Sequence, residues 1–316
     1  MKVVKELKID FTDFWPGFVK TDNFFYKLLS EKYTLAISDQ PDILFYSVYG
    51  NAHVNYRCTK VLFTGEAVRP DFILCDFAFS YDYPVSKKNY RLPLYALYGD
   101  VTTLVKRKVN APELLKEKTK FCCFIVSNGN CDARNNFFVE LSKYKRVDSG
   151  GQIFNNIGRL VSNKLEFIKD YKFVIAFENR VYPGYTSEKI FEPLTQNCIP
   201  VYWGNPLVYN DFNTDCFVNC HDFKTFDEVI LRIKEIDNDD ELYMKYVSAP
   251  AFNDDQLNEY VKKENIVRRL DEIVAHHFNG KWKFLPLVRP YYFKGLMKSR
   301  RLVNGFSTIK KWSAAK

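Results

Sequence analysis

No stretch of the 316-residue chain approaches eighteen consecutive apolar residues, which argues against a membrane-spanning helix. The opening stretch, MKVVKELKIDFTDFW, breaks its apolar residues with charges every few positions. It lacks the apolar middle of a secretory signal, which predicts a cytoplasmic chain. There is no glycine-rich phosphate loop of the P-loop or dinucleotide kind, no internal repeat and no low-complexity tract. The eight cysteines come without a secretion signal and read as reduced thiols, not as a disulfide framework. Cys122 and Cys123 sit in the apolar run FCCFIV, where cysteine acts as a small hydrophobe. Cys216, Cys220 and His221 form the tightest metal-like grouping, but no second pair stands at zinc-finger spacing. The one D-x-D, Asp237 to Asp239, falls between two helical segments and reads as caps and turn residues.

What is present is a chain that is 47% apolar and 17% aromatic, enough for two packed cores at this length. Its net charge of +8 is not spread evenly. Residues 289–316, RPYYFKGLMKSRRLVNGFSTIKKWSAAK, hold eight Lys and Arg and no Asp or Glu, the whole of that excess. Such a tail fits an anionic surface, either lipid headgroups or nucleic acid.

Short apolar runs between turn residues mark the first half: DILFYSVYG (42–50), KVLFTGE (60–66) and FILCDFAFSY (72–81). Charged KRKVNAPELLKEKTK (106–120) reads as a connector with some helix. Beyond it, FCCFIVSN is a buried strand, NFFVELSKYK (136–145) an amphipathic helix and RVDSGG a second strand end. A second such unit has a strand at 172–177, a helix from about 187 and a strand at 199–203. Two βαβ units predict a parallel sheet with helices on both faces, and ligands beyond the carboxyl ends of its strands. A last amphipathic helix is expected over 253–278.

The polar turn of the second unit, ENRVYPGYTSEK, is dense in functional groups. Thr186 or Ser187 is a good N-cap, and the free N–H groups of a helix start favour an anion. Lys189 opposes the helix dipole there, which makes sense if a phosphate sits between them. Arg134, in the equivalent loop of the first unit, suits bidentate phosphate contact. On residue types alone, Glu188 and Lys189 read equally well as solvated residues of a helix start. Pro193, six residues past the cap, predicts a kink.

In collinear order, FENR…YTSEK…IPVYWG (177–204), FTGEAVRPDF (63–72), IVSNGNCDARNNFF (125–138), YKRVDSGG (144–151) and CFVNCHDF (216–223) resemble the bacterial alpha-1,3/1,4-fucosyltransferases. The resemblance implies an α/β fold of GT-B architecture, two Rossmann-like domains facing across a cleft. Residues 1–112 would bind the acceptor and 113–288 the nucleotide sugar, with the basic tail at 289–316. It implies GDP-fucose as donor and transfer, with inversion, to the 3-OH or 4-OH of N-acetylglucosamine in an N-acetyllactosamine-type glycan. Position by position, Glu66 matches the general base, Arg134 and Lys189 the diphosphate contacts, and Asn179, Tyr185 and Glu188 the lining of nucleotide and fucose. No cofactor or metal is implied. Arg180 stands where the family has Ser, and Ser187 where it has Thr.

By position alone Glu66 is equally a loop carboxylate capping the next turn; Asp76 and Asp82 are the next carboxylates in line. His53 reads as a surface residue on the acceptor side, and His276 and His277 as a solvated helix end. Another sugar nucleotide on the same architecture is one alternative. A basic nucleic-acid-binding protein is another, though the first 288 residues balance 38 basic with 38 acidic groups and carry no RNA-binding motif. Within the tail, Leu302, Phe306 and Ile309 recur at helical spacing among lysines and arginines, as in a membrane-surface helix. Deleting 289–316 is therefore expected to lower sedimentation with anionic liposomes while turnover of a soluble acceptor survives. Equal liposome binding with and without the tail sinks the idea.

Overall fold

The structure, a computed structural model, describes residues 6–280 together with 291, 292, 294 and 295. The tail expected from 289 lies otherwise outside the described residues, as does its amphipathic stretch. Among the described residues no helix is long and apolar enough to cross a membrane. Packing divides the chain into two compact units. One takes residues up to Ser80, Pro84–Tyr90 and everything from Glu264; the other takes Tyr81–Tyr83 and Arg91–Lys263. These limits differ from boundaries at 112 and 288: residues 91–112 pack with the second unit, and the last helix packs with the first.

The first unit holds a six-stranded sheet of β1 (Glu6–Thr12), β2 (Thr34–Ile37), β3 (Ile43–Tyr46), β4 (Thr59–Phe63), β5 (Phe77–Ser80) and β6 (Asn89–Arg91), ordered β2-β1-β3-β4-β5-β6. The pairings from β2 through β5 are all parallel. Helix α1 (Phe24–Ser30) starts at Asn23, whose side chain accepts the Tyr26 N–H at 3.0 Å. It lays Phe25 onto the sheet, with ring centroids 5.1 Å from Phe45, 5.3 Å from Phe63 and 5.1 Å from Phe79. Phe11 stacks on Phe45 at 5.3 Å, so much of the aromatic content is spent on one face of this sheet.

The second unit holds β7 (Lys120–Phe124), β8 (Val147–Ser149), β9 (Tyr171–Phe177), β10 (Ile199–Trp203) and β11 (Val218–Asn219). They form one sheet, ordered β11-β10-β9-β7-β8, and every pair is parallel. Its helices are α2 (Ala111–Glu117), α3 (Asp132–Tyr144), α4 (Lys164–Ile168), α5 (Glu188–Thr195), α6 (Phe226–Asn238) and α7 (Asp240–Ser248). Alternate residues of β9 serve opposite faces: Phe173, Ile175 and Phe177 join one cluster with Phe137, Val229 and Ile233, while Ala176 joins another with Ile190 and Leu194. A strand covered on both sides reads as a continuous apolar run, which is why FVIAF was legible.

Several expectations shift. The run 72–81 contributes only β5, with a turn before it, and α3 begins at Asp132 instead of 136. The last helix, α8 (Lys263–Asn279), begins ten residues later than the apolar pattern started. α5 is eight residues long, so Pro193 falls in its last turn and ends the helix at Thr195 instead of kinking a longer one. Asp239 caps α7 by accepting from Leu242, but Asp237 is buried, with Lys145 at 3.0 Å and Lys172 at 3.5 Å. His53 is buried, not on the surface, and His277 is held by Thr59 at 3.0 Å and Asp42 at 3.3 Å. All eight cysteines are buried free thiols.

Phe25 touches three strands through one ring, so Phe25→Ala should cost about 3–5 kcal/mol. Chemical denaturation that showed a loss under about 1 kcal/mol would place the weight of this core elsewhere.

Candidate active site

In both sheets the second strand in sequence lies outside the first, and the third lies on the first strand's other side. The order reverses between β7 and β9, and ligands of open α/β sheets bind at the carboxyl ends of such a pair. In the second unit those ends lead to the loop before α3 and to the run Glu178–Ser187.

Arg134, in the first turn of α3, reaches back to this point and is 1% exposed. Its guanidinium donates to the Asn128 carbonyl, to Asn179 Oδ1 at 2.9 Å and to the Phe177 carbonyl at 3.4 Å. All three partners are neutral, and its Nε has no hydrogen-bond partner among the described residues. Burial pulls its pKa below the ordinary arginine value, though a guanidinium remains charged. Asn179, half-buried, thus sits at the site as the group that orients Arg134.

Of the two cap candidates the structure uses one. Ser187 caps α5, while Thr186 turns away. Glu178, fully buried, accepts the Ser187 N–H at 2.8 Å and its hydroxyl at 2.7 Å. The Lys189 ammonium lies 3.2 Å from Glu178, 3.3 Å from Glu188 and 3.1 Å from Ser187 Oγ. Glu178 thus places a carboxylate of the chain itself beside the helix start and Lys189. Burial raises the Glu178 pKa, against the pull of Lys189 and the Ser187 bonds. Burial also disfavours the Lys189 ammonium, but the two carboxylates outweigh it and hold its pKa well above the lysine range. For Glu188, burial is outweighed by Lys189 and Lys164, and its carboxyl lies below the usual value.

Tyr185 is buried with its ring edge-on to Tyr81, centroids 4.5 Å apart. Two glycines make this packing feasible. Gly184 has φ +89°, and a Cβ there would lie 2.3 Å from the Tyr81 carbonyl oxygen. At Gly204, φ +147°, a Cβ would meet Glu178 Cγ at 2.4 Å, so the closing glycine of IPVYWG makes room for the buried carboxylate. Its N–H donates to His221 Nε2 at 3.1 Å, a bond that needs the neutral ring, and burial does lower the His221 pKa.

In the first unit the carboxyl ends of β1, β3 and β4 carry Asp13, Tyr49, His53 and Glu66. Glu66 is half-buried in a turn where its N–H donates to Thr64 Oγ1 at 3.0 Å. Its Oε1 accepts from the Tyr49 hydroxyl at 3.0 Å. Tyr49 and Trp15 are 51% and 44% exposed, with ring centroids 6.4 Å apart, so the Tyr49 ring that holds this carboxylate has a second open aromatic next to it. Asp13 accepts from the backbone N–H groups of Ala52 and His53 at 2.9 Å each and pairs with His53 Nδ1 at 2.7 Å. Asp76 accepts the Lys60 N–H at 2.9 Å, and Asp82 accepts from the Tyr182 hydroxyl. Arg180, whose role the sequence left open, is exposed.

The sequence reading missed Glu178, although it stands inside the quoted FENR run, because a carboxylate after a strand looks like a loop residue. The available signal was its position between the apolar strand and a capping serine nine residues on. Tyr49 was missed too, since an aromatic in an apolar run reads as core.

Comparison with known proteins adds two family models. Residues 9–98 match the alpha-(1,3)-fucosyltransferase FucT N-terminal domain, and residues 115–266 match glycosyltransferase family 10 (fucosyltransferase), C-terminal part. The FucT alpha-(1,3)-fucosyltransferase of Helicobacter pylori is 34% identical over 267 residues, 72% of this chain and 56% of that protein. The 4-galactosyl-N-acetylglucosaminide 3-alpha-L-fucosyltransferase 9 of Mus musculus is 32% identical over 134 residues, 41% of this chain and 36% of that one. The chain thus spans about half the length, or less, of these curated relatives. An alpha1,3-fucosyltransferase crystal structure superposes with TM-score 0.76 at 30% identity, covering 87% of this chain and 91% of that one. Another, with GDP, gives TM-score 0.75 at 29% identity over 89% and 93%.

Proposed function

The chain belongs to glycosyltransferase family 10, the fucosyltransferases, and we propose that it moves L-fucose from GDP-beta-L-fucose to a glycan hydroxyl with inversion. The observation that carries the donor half is Arg134: a buried guanidinium at the switch point of the second sheet, bonded only to neutral groups. Lys189, the half-buried cation here, has two carboxylates within 3.3 Å. An anion at Arg134 would complete the set, and a diphosphate gains negative charge as it leaves, so preorganised positive charge stabilises the transition state most. Lys189, shared between two carboxylates, is the weaker contact in this reading. Asn179, Tyr185 and Glu188 shape the surroundings of nucleotide and fucose. Positive charge supplied by side chains leaves no step that requires a resident metal or cofactor.

Glu66 is the proposed base. The acceptor O–H gives its proton to the Glu66 carboxylate as the oxygen bonds to C1 of fucose. The C1–O bond to the β-phosphate breaks on the opposite face, and its electron pair leaves on GDP. The exposed ring of Tyr49, bonded to Glu66, and that of Trp15 next to it suit the apolar face of a sugar, consistent with an N-acetylglucosamine unit of an N-acetyllactosamine-type glycan taking fucose at its 3-OH, with 4-OH the other outcome. The mouse relative's name carries the same acceptor and the 3-position. The basic tail would hold the enzyme to an anionic membrane face.

Two experiments test these halves separately. Arg134→Ala should weaken GDP binding by calorimetry about ten-fold or more, and Lys189→Ala by less. Arg134→Lys, with thermal melts of each variant, controls for the carbonyls left unpaired. A parental GDP affinity in Arg134→Ala removes its phosphate role. Glu66→Gln keeps size and hydrogen-bonding capacity but accepts no proton near neutral pH. Its kcat should fall about 10² to 10⁴-fold with GDP affinity nearly unchanged. A loss of only a few-fold leaves Glu66 as an orienting residue, and acceptor panels with linkage analysis decide the hydroxyl.

A further inference from the structure

The run that carries Tyr185 and Lys189 is anchored by charges far from it in sequence. Arg91, which ends β6, and Asp211 are 0% and 2% exposed. Arg91 Nη1 donates to Asp211 Oδ1 at 2.7 Å and Nη2 to Oδ2 at 2.6 Å, a bidentate pairing, while Nη2 also reaches the Gly184 carbonyl at 3.1 Å. The guanidinium lies over the rings of Tyr83 and Tyr260, at 4.5 and 5.4 Å. Burial works against this arginine's charge, and Asp211 more than restores it, raising its pKa above the ordinary value. Asp211 accepts two further bonds, from Thr186 Oγ1 at 2.6 Å and from Asn258 Nδ2 at 3.1 Å. Thr186 Oγ1 accepts in turn from Asn205 Nδ2 at 2.9 Å, and Asn205 Oδ1 takes the Gly184 N–H at 2.7 Å.

A buried ion pair is a poor way to add stability, because well-packed apolar side chains often do as well or better. It can do what they cannot, which is to aim hydrogen bonds. Asp211 points one at the residue immediately before the cap of α5, between Tyr185 and Ser187. We propose that Asp211, oriented by the Arg91 fork, is a positioning residue for the donor. Through the Thr186 hydroxyl it sets where α5 begins, and so where Tyr185, Glu188 and Lys189 stand. The inference rests on the reading of this loop as part of the donor site.

Thr186→Val in the full chain is the decisive variant, since it keeps the shape and the Arg91–Asp211 pair but removes the hydroxyl. Asp211→Asn risks unfolding the unit and carries no part of the test. GDP dissociation constants by calorimetry should rise about ten-fold in Thr186→Val, the usual worth of one bond to a charged group. KM for GDP-fucose should rise in step while KM for the acceptor holds. Thr186→Ser should restore donor binding to within about two-fold of the parent, and Arg91→Lys, with charge but no fork, should move it the same way as Thr186→Val. A Thr186→Val protein that melts earlier yet binds GDP with parental affinity overturns the inference, because its role is then structural alone. A parent that binds no GDP overturns the donor reading and this inference with it, whereas parental binding with an unaffected Thr186→Val overturns this inference only.

Discussion

A charge removed from water must be given an opposite charge or several hydrogen bonds, and that requirement shapes the second unit from Glu178 to Asp211. Glu178 is fully buried and spans the two ends of one loop, taking the Ser187 N–H, its hydroxyl and the Lys189 ammonium. Asp211 does the same from the other side through Arg91 and Thr186. The backbone between them is secured group by group: Gly184 to Asn205 and Arg91, the Tyr185 carbonyl to the Tyr202 hydroxyl, the Thr186 carbonyl to the Leu94 N–H. A loop with its polar groups so tied has few ways to rearrange, and that is what a site needs to hold a charged ligand in one pose. Arg134 stands apart within this arrangement, for the hydrogen bonds it donates among the described residues go to neutral oxygens.

The legible parts of the fold were those where periodicity and burial agree. FCCFIV and FVIAF are covered on both faces, so their apolar runs had no competing explanation, and the parallel sheet followed from them. The strand at Glu6–Thr12 was not read, because ELKIDFT alternates charged and apolar residues and looked like a broken signal. Its inward residues Leu7, Ile9 and Phe11 are nonetheless buried, as a period of two requires. The start of α8 was misplaced for the opposite reason: Leu257 and Val261 stand four residues apart, as in a helix, yet they belong to turns of the second unit.

The candidate site was legible as residue types and not as pairings. Glu66, Arg134 and Lys189 could be picked out by motif, whereas the partner of each is distant in sequence or hidden in an apolar run: Tyr49 for Glu66, Asn128 and Asn179 for Arg134, Glu178 for Lys189. A one-dimensional reading sees a lysine against a helix dipole and supplies an external anion. The folded chain also sets a carboxylate of its own there, because Gly204 lets the Glu178 side chain pass.

The first unit is completed by the last of the described helices. α8 returns from the second unit and places Asp271 on Lys32 and Tyr33, His276 on Phe77, His277 on Thr59 and Asp42, and Arg269 over Phe77. A ribosome emits residues 6–90 first, yet these meet their closing helix only after some 170 more have been made. The second unit, nearly continuous from Arg91 to Lys263, can mature on the way. During synthesis the amino-terminal sheet must therefore wait part-built, with the surface destined for α8 open to chaperones or to other nascent chains.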